Sequence, residues 1–428
     1  MLNLHILYLP CSETCVIIPL LSIFVPDSIN HSVRIMYSKI MYEELSLRWN
    51  KIRQAMLQAG IEACFISGTV NLLYVSGRVF NGYFYLPLEG EPIFFVKRPL
   101  GLNEGNIVYI RKPEDIPTIL NERKCIPVQT IGFEDDTLTY NEHTRLASLF
   151  PVASVKNISG LMRSVRSVKT PYEISVYRQT CDRHAKVMAQ VPDCYEKGMT
   201  DLEFNIALET LFRKNGSMGL FRAFGSNMEI FMGSVLAGDN AMAASPYDFA
   251  MGGAGVDASL PIGSCGKVMA EGEAVMVDMG GLFSPYISDM TRTFSVGQLS
   301  DLAYKAHETS MDIQHKIKDM ARSGTACSEL YILASEMAKE AGLAEYFMGY
   351  GQQAGFVGHG IGLEINELPV LFGRSKERLQ ANNIIAIEPK FVIPGVGAVG
   401  VENSFLVHES GIEKLTNTSE EIIDLLKK

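Results

Sequence analysis

The sequence predicts two mixed domains in tandem: an α/β domain over residues 42–166, then an α+β domain over residues 167–428 with a weak internal repeat. Three observations carry this. Between residue 63 and about residue 155, short apolar runs alternate with turn residues and helical stretches. A capping box with proline at the first helical position, Thr170-Pro171-Tyr172-Glu173, then opens a long helix just after the basic segment 161–169. Finally, segments 198–216 and 324–342 look alike: each opens on glycine with a threonine near the cap, has a glutamate in its first helical turn and closes on glycine. At 428 residues and 47% hydrophobic content, the chain can fill two ordinary cores.

In order along the chain, Leu45, Trp49, Ile52 and Met56 recur at helical spacing and predict an amphipathic helix over 42–59, ended by Gly60. The runs 63–66, 72–75, 82–86 and 92–96 read as strands. After Thr170 the stripe Ile174, Tyr177, Cys181, Ala185 and Met188 marks the buried face of the next helix. His184 beside it reads as a packed helix histidine rather than a catalytic one.

Residues 1–41 read as an extension outside the fold, with no helix continuous with the one starting at Tyr42; Met36 and Met41 offer alternative starts. The apolar run 16–25 is ten residues long and broken by Pro19, too short to span a bilayer, and no Lys or Arg precedes Arg34 as a signal peptide would require. The net charge of -10, with no Lys/Arg block, excludes a nonspecific nucleic-acid binder. Eight scattered cysteines, of which only Cys11 and Cys15 lie close together, fit reduced thiols in a cytoplasmic protein.

Candidate chemistry centres on 275–294, VMVDMGGLFSPYISDMTRTF, where Asp278 and Asp289 each follow an apolar run. Gly280-Gly281 and Ser284-Pro285 between them read as the turn of a hairpin that brings the two carboxylates together. Two anions held close need a proton or a cation between them. Further ligand types follow: His359 in GHGIG, Glu388 after the apolar run 384–387, and Glu402 in VGVEN. Four carboxylates with one imidazole suit two divalent ions sharing carboxylates. Such oxygen-rich ligation without thiolate favours Mn(II), Co(II) or Fe(II), and Zn(II) also fits.

The Asp, Asp, His, Glu, Glu order, set in VDMGG, SDMTRTF, GHGIGLE, IEP and VEN, resembles the pita-bread metallopeptidases over roughly residues 42–428. That family includes methionine aminopeptidase, aminopeptidase P, prolidase and the creatinase-like enzymes. The resemblance implies a creatinase/prolidase-like N-terminal domain, a pita-bread catalytic domain with pseudo-two-fold internal duplication, and a homodimer. It makes Asp278 a ligand of one ion, His359 and Glu388 ligands of the other, and Asp289 and Glu402 the bridges, with Glu388 passing a proton to the leaving amine. It also implies a hydrogen bond from Thr291 to a ligand carboxylate.

The implied activity is that of a Xaa-Pro type aminopeptidase or dipeptidase, attacking the peptide bond with a metal-bridging hydroxide. The alternatives are hydrolysis or elimination of a small non-peptide metabolite, as in creatinase-like relatives, and a binding protein that has abandoned catalysis. Three departures bear on the substrate. A family histidine about seventeen residues before the first aspartate falls here at Leu260 or Pro261, another seven residues after the ligand histidine is Asn366, and an arginine two residues before the last glutamate is Gly400. Asn366 is therefore expected to face the substrate and offer it a neutral donor.

Overall fold

The computed structural model describes residues 31–427 except 104, 126, 226–229 and 248–250, with side chains only from residue 41 onward. The expectations for the run 16–25 and for Cys11 and Cys15 fall outside the described residues. The chain divides into two compact units, one up to Met162 and one from Arg163.

The first unit contains α1 (His31–Ala59), β1 (Ala63–Ile66), α2 (Thr69–Ser76), β2 (Asn81–Pro87), β3 (Ile93–Arg98), β4 (Ile107–Tyr109), α3 (Ile116–Glu122), β5 (Thr130–Phe133), α4 (Tyr140–Ala147) and β6 (Ser154–Asn157). Its six strands form one mixed sheet in the order β4-β3-β2-β1-β5-β6, antiparallel at β1–β2 and parallel at β1–β5. Two expectations are corrected here. The first helix begins at His31, so residues 31–41 continue into the helix that buries Leu45, Trp49, Ile52 and Met56. The run 72–75 lies in α2, not a strand: Asn71 to Val75 are all buried and Gly77 closes the helix in a left-handed conformation at φ 70°. A short run buried on every side has no periodicity to separate helix from strand.

The unit boundary falls within α5 (Ser159–Ser167). The second unit goes on with α6 (Pro171–Met188), α7 (Asp201–Lys214), β7 (Gly233–Ala237), β8 (Ala274–Gly281), β9 (Ser288–Ser295), α8 (Asp301–Met320) and α9 (Cys327–Glu340). After these come β10 (Phe356–Gly360), β11 (Glu367–Phe372), β12 (Ile384–Ile387), β13 (Lys390–Ile393), β14 (Gly397–Gly400), β15 (Asn403–Val407), β16 (Ile412–Lys414) and β17 (Ile423–Asp424).

Two similar layers result. Phe204, Leu208 and Phe212 of α7 and Val187 and Met188 of α6 pack on Val275, Val277 and Met279 of β8, in the sheet β17-β9-β8-β7. Ile313 and Ile317 of α8 and Leu330 and Ala334 of α9 pack on Val357, Ile385, Ile387 and Phe405, in the sheet β11-β10-β12-β15-β16. Side chains alternate across a strand, so residues 276 and 278 face away from the helices that 275, 277 and 279 contact. The helical copies differ in one detail: Thr200 caps α7 in a box with Glu203, whereas Thr325 Oγ1 accepts the Arg322 N–H and α9 starts from Ala326 without a side-chain cap.

Gly280 and Gly281 belong to β8 rather than to the turn, which spans residues 282–287. Their small size serves close approach. A Cβ on Gly280 would lie 1.9 Å from Cζ of Phe221, and one on Gly281 would lie 2.6 Å from Nδ1 of His184.

Candidate metal centre

In the β8–β9 ladder Asp278 pairs with Thr291 and Gly280 with Asp289, so the two aspartates sit diagonally on one face. His359 lies in β10, Glu388 directly follows β12, and Glu402 lies between β14 and β15. β10 pairs with β12 and β12 with β15, so all five groups reach one cavity. Within it, single ligand atoms of Asp289, His359 and Glu402 lie within 4.8 Å of one another. His359 Nε2 is 3.4 Å from Glu388 Oε1 and 3.8 Å from Asp289 Oδ2. His359 Nδ1 is 3.0 Å from the Gly360 carbonyl; donating there leaves the Nε2 lone pair for a metal. Thr291 Oγ1 donates to Glu402 Oε2 at 2.7 Å, the contact expected of it.

The sequence reading missed Lys390. Its Nζ, in a fully buried side chain, lies 2.7 Å from Glu388 Oε2, 2.9 Å from Asp278 Oδ2 and 3.1 Å from Glu402 Oε2. The available signal was alternation: in the extended segment Glu388-Pro389-Lys390, positions two apart share a face, and the segment continues a buried apolar run. Gly400 lies opposite Lys390 in the β13–β14 ladder at φ 144°, where a Cβ would come within 2.5 Å of the Pro389 carbonyl oxygen. No side chain is tolerated there without backbone movement.

The protonation preferences show a centre short of positive charge. Burial raises the Asp289 carboxyl well above its usual range, with Glu402 and Asp278 adding to it, and burial with Glu388 alongside pushes Glu402 up to about 7. Burial would also raise Glu388, but Lys390 and His359 outweigh it and hold that carboxyl at about 2. Burial opposes the charge on His359, yet Glu388, Asp289 and Glu402 raise it to about 9. Carboxylates that retain protons so readily favour a cation in their place. Glu402 Oε1 is buried with no hydrogen-bond partner among the described residues, so one lone-pair-bearing atom remains for an ion.

Asn366 lines the same cavity, where Oδ1 accepts the Phe224 N–H at 2.7 Å and one of the two Nδ2 hydrogens goes to the Phe224 carbonyl at 2.9 Å. It clamps the segment carrying Phe221, and its second amide N–H is not used in that clamp. Ile262 lines the cavity, while its neighbours Leu260 and Pro261 are half-buried beside it. Phe221, Ile230, Met251, Phe356 and Ile365 complete the apolar wall. Below the clamp, Arg166 pairs with Glu364, and Lys169 Nζ lies 2.9 Å from Glu367 Oε2, all buried. Those basic residues hold Glu364 and Glu367, at the end of the loop between β10 and β11 that carries Asn366.

Residues 175–409 match the family model described as Metallopeptidase family M24, and residues 48–168 match the Creatinase/Prolidase N-terminal domain. A Xaa-Pro dipeptidase of Pyrococcus furiosus is 28% identical over 384 residues, covering 88% of this chain and 99% of that one. A solved structure of a Xaa-Pro dipeptidase from Bacillus anthracis superposes with a TM-score of 0.73 at 25% identity, covering 89% of this chain and 99% of that one. The prolidase of Pyrococcus horikoshii OT3 shares the fold at a TM-score of 0.71 and 23% identity, covering 88% and 99%.

Proposed function

This chain belongs to metallopeptidase family M24, and from that membership and the cavity's residues we infer a metal-dependent hydrolase that cleaves Xaa-Pro bonds, as an aminopeptidase or a dipeptidase. Its fold is the pita-bread fold behind a creatinase/prolidase N-terminal domain. The observation that carries the reading is the gathering of Asp289, His359 and Glu402 ligand atoms within 4.8 Å, with Glu388 beside the same imidazole Nε2 at 3.4 Å. Mn(II) and Co(II) suit this donor set best, with Fe(II) and Zn(II) as further candidates. A divalent ion held there supplies Lewis acidity and a water acidified toward neutral pH.

The chain's own residues do the rest. Thr291 fixes the Glu402 carboxylate and the Gly360 carbonyl fixes the His359 tautomer. Glu388, kept ionised by Lys390, accepts a proton and passes it to the leaving amine. The apolar wall from Phe221 to Ile365 accepts a proline ring and excludes water. Asn366 acts as a positioning residue through Phe224. A homodimer and a cytoplasmic location belong to the same proposal; the thiols of Cys64, Cys125, Cys181, Cys265 and Cys327 among the described residues support the latter.

One observation favours a second reading, a small non-peptide substrate. Among the described lining residues His359 is the only one with a basic side chain, so nothing in that set offers a cation to a dipeptide's carboxylate. Chelator-stripped protein reloaded with Mn(II) or Co(II) and assayed on Xaa-Pro dipeptides, longer Xaa-Pro peptides and non-proline controls separates the two. Ion-dependent release of the residue before proline supports the peptidase. An ion-loaded protein that cleaves no peptide of the panel sends the assignment to the second reading.

A further inference from the structure

Two ions do not fit this centre together with Lys390. The two-ion arrangement needs oxygens of Asp278 and the shared Glu402 for one cation, and of Glu388 and Glu402 beside His359 for the other. Those three carboxylates converge instead on the Lys390 ammonium, at 2.9, 2.7 and 3.1 Å. An ammonium has three donors, and here each has a carboxylate oxygen. Metal–oxygen bonds run at about 2.0–2.6 Å, so an ion on the same oxygens would sit in contact with a fixed positive charge. The remaining groups make a separate cluster of ligand atoms from Asp289, His359 and Glu402; Glu388 Oε1 lies 3.4 Å from the His359 Nε2, and Glu402 Oε1 has no hydrogen-bond partner among the described residues.

We propose that Lys390 is a built-in cation that takes the place of one divalent ion, so that this protein holds a single ion at Asp289, His359 and Glu402. Glu402 is then shared between the ammonium through Oε2 and the ion through Oε1. Asp278 becomes a partner of Lys390 rather than a metal ligand. The backbone is built for this exchange. Gly400 lets β14 close against the Lys390 backbone, and the Lys390 side chain has zero exposure to solvent. The inference rests on the metal-hydrolase reading but asks a narrower question, namely how many ions are bound.

The test is metal per chain in full-length protein, stripped with chelator, reloaded with Mn(II) and desalted, read by elemental analysis and by electron paramagnetic resonance. Wild type is expected to hold one Mn(II) per chain with an uncoupled six-line spectrum. Lys390→Ala, which vacates the three carboxylates, is expected to hold two, with the spectrum of a coupled pair. Should that variant fail to fold, Asp278→Asn decides: it keeps one ion per chain if Asp278 serves the lysine. Two ions or a coupled pair in wild type, one ion in Lys390→Ala, or loss of ion from Asp278→Asn would each overturn the inference while leaving a metal hydrolase. Wild type with no bound ion would remove the metal-hydrolase reading itself.

Discussion

Lys390 Nζ lies 2.7 Å from Glu388 Oε2, a buried ammonium and carboxylate two residues apart on one face of an extended segment. Burying both is favourable only because Asp278 and Glu402 complete the ammonium's partners. Lys390→Met leaves three carboxylates facing one another. We expect it to lower unfolding free energy in chelator by about 3 kcal/mol, with part of the loss recovered when Mn(II) is added. Urea unfolding with and without the ion measures both quantities, and equal stability under the two conditions would count against the placement of these charges.

Asn366 bonds both the N–H and the carbonyl of Phe224, 142 residues away in sequence. If the substrate is a peptide, the family pattern has Asn366→His restore a donor for the reaction. The clamp argues for the opposite outcome, because an imidazole cannot donate to and accept from one backbone unit in the amide's geometry. The variant should lose roughly tenfold or more in kcat/KM through misplacement of the Phe221 wall. Proteolysis in the 217–232 segment should speed up as well. Unchanged protection there with raised activity would return Asn366 to a substrate-facing role.

The buried quartet Arg166, Lys169, Glu364 and Glu367 makes a separate prediction. Glu367 accepts from Lys169 Nζ at 2.9 Å and from the Leu363 N–H at 3.1 Å. Glu367→Gln leaves Lys169 without its charged partner in a side chain that is 1% exposed. A loss of about 3 kcal/mol is expected by denaturant titration. A change within about 0.5 kcal/mol, as for an ordinary surface site, would show that the pair is not buried as described.

Acid lability follows from His184. Burial against Phe212 and Phe283, with the Arg292 charge adding to it, lowers its pKa from 6.5 to about 3. The unfolded chain binds a proton below pH 6.5 that the folded one refuses until about pH 3. Stability is therefore complete above pH 6.5 and declines as pH falls toward 3, by about 1.4 kcal/mol per unit from this group. His184→Gln should remove this part of the decline. The stability gap between wild type and variant should shift by about 2.5 kcal/mol between pH 7 and pH 4.5, and a constant gap would refute the assignment.

Much of the centre was legible because local geometry marks each ligand. Asp278 precedes two glycines that Phe221 and His184 require, and Glu388 precedes the proline that turns the chain into β13. Lys390 was not legible as a site residue because a lysine reads by default as a solvated head on an apolar stem. Only the strand's alternation says that this one points inward. The partner of Asn366 was hidden for another reason: spacing from His359 places the residue in the cavity but carries no information about a loop 142 positions upstream. In the first unit the run 72–75 misled because complete burial erases periodicity, and α1 was started too late because its start was read from the stripe that begins at Leu45, while Val33, Met36, Tyr37 and Ile40 carry the same helical spacing upstream.

Asp289→Asn tests the central claim most directly, read by calorimetric titration with Mn(II) alongside hydrolysis of a Xaa-Pro dipeptide. Asp289 is buried in the group that would hold the ion, and an amide is a far poorer ligand than a carboxylate for a hard cation. The account predicts a folded variant that takes up no ion at concentrations saturating wild type, gains no thermal stability from Mn(II), and loses at least about a hundredfold in ion-dependent hydrolysis. Unchanged ion stoichiometry in the variant would contradict it.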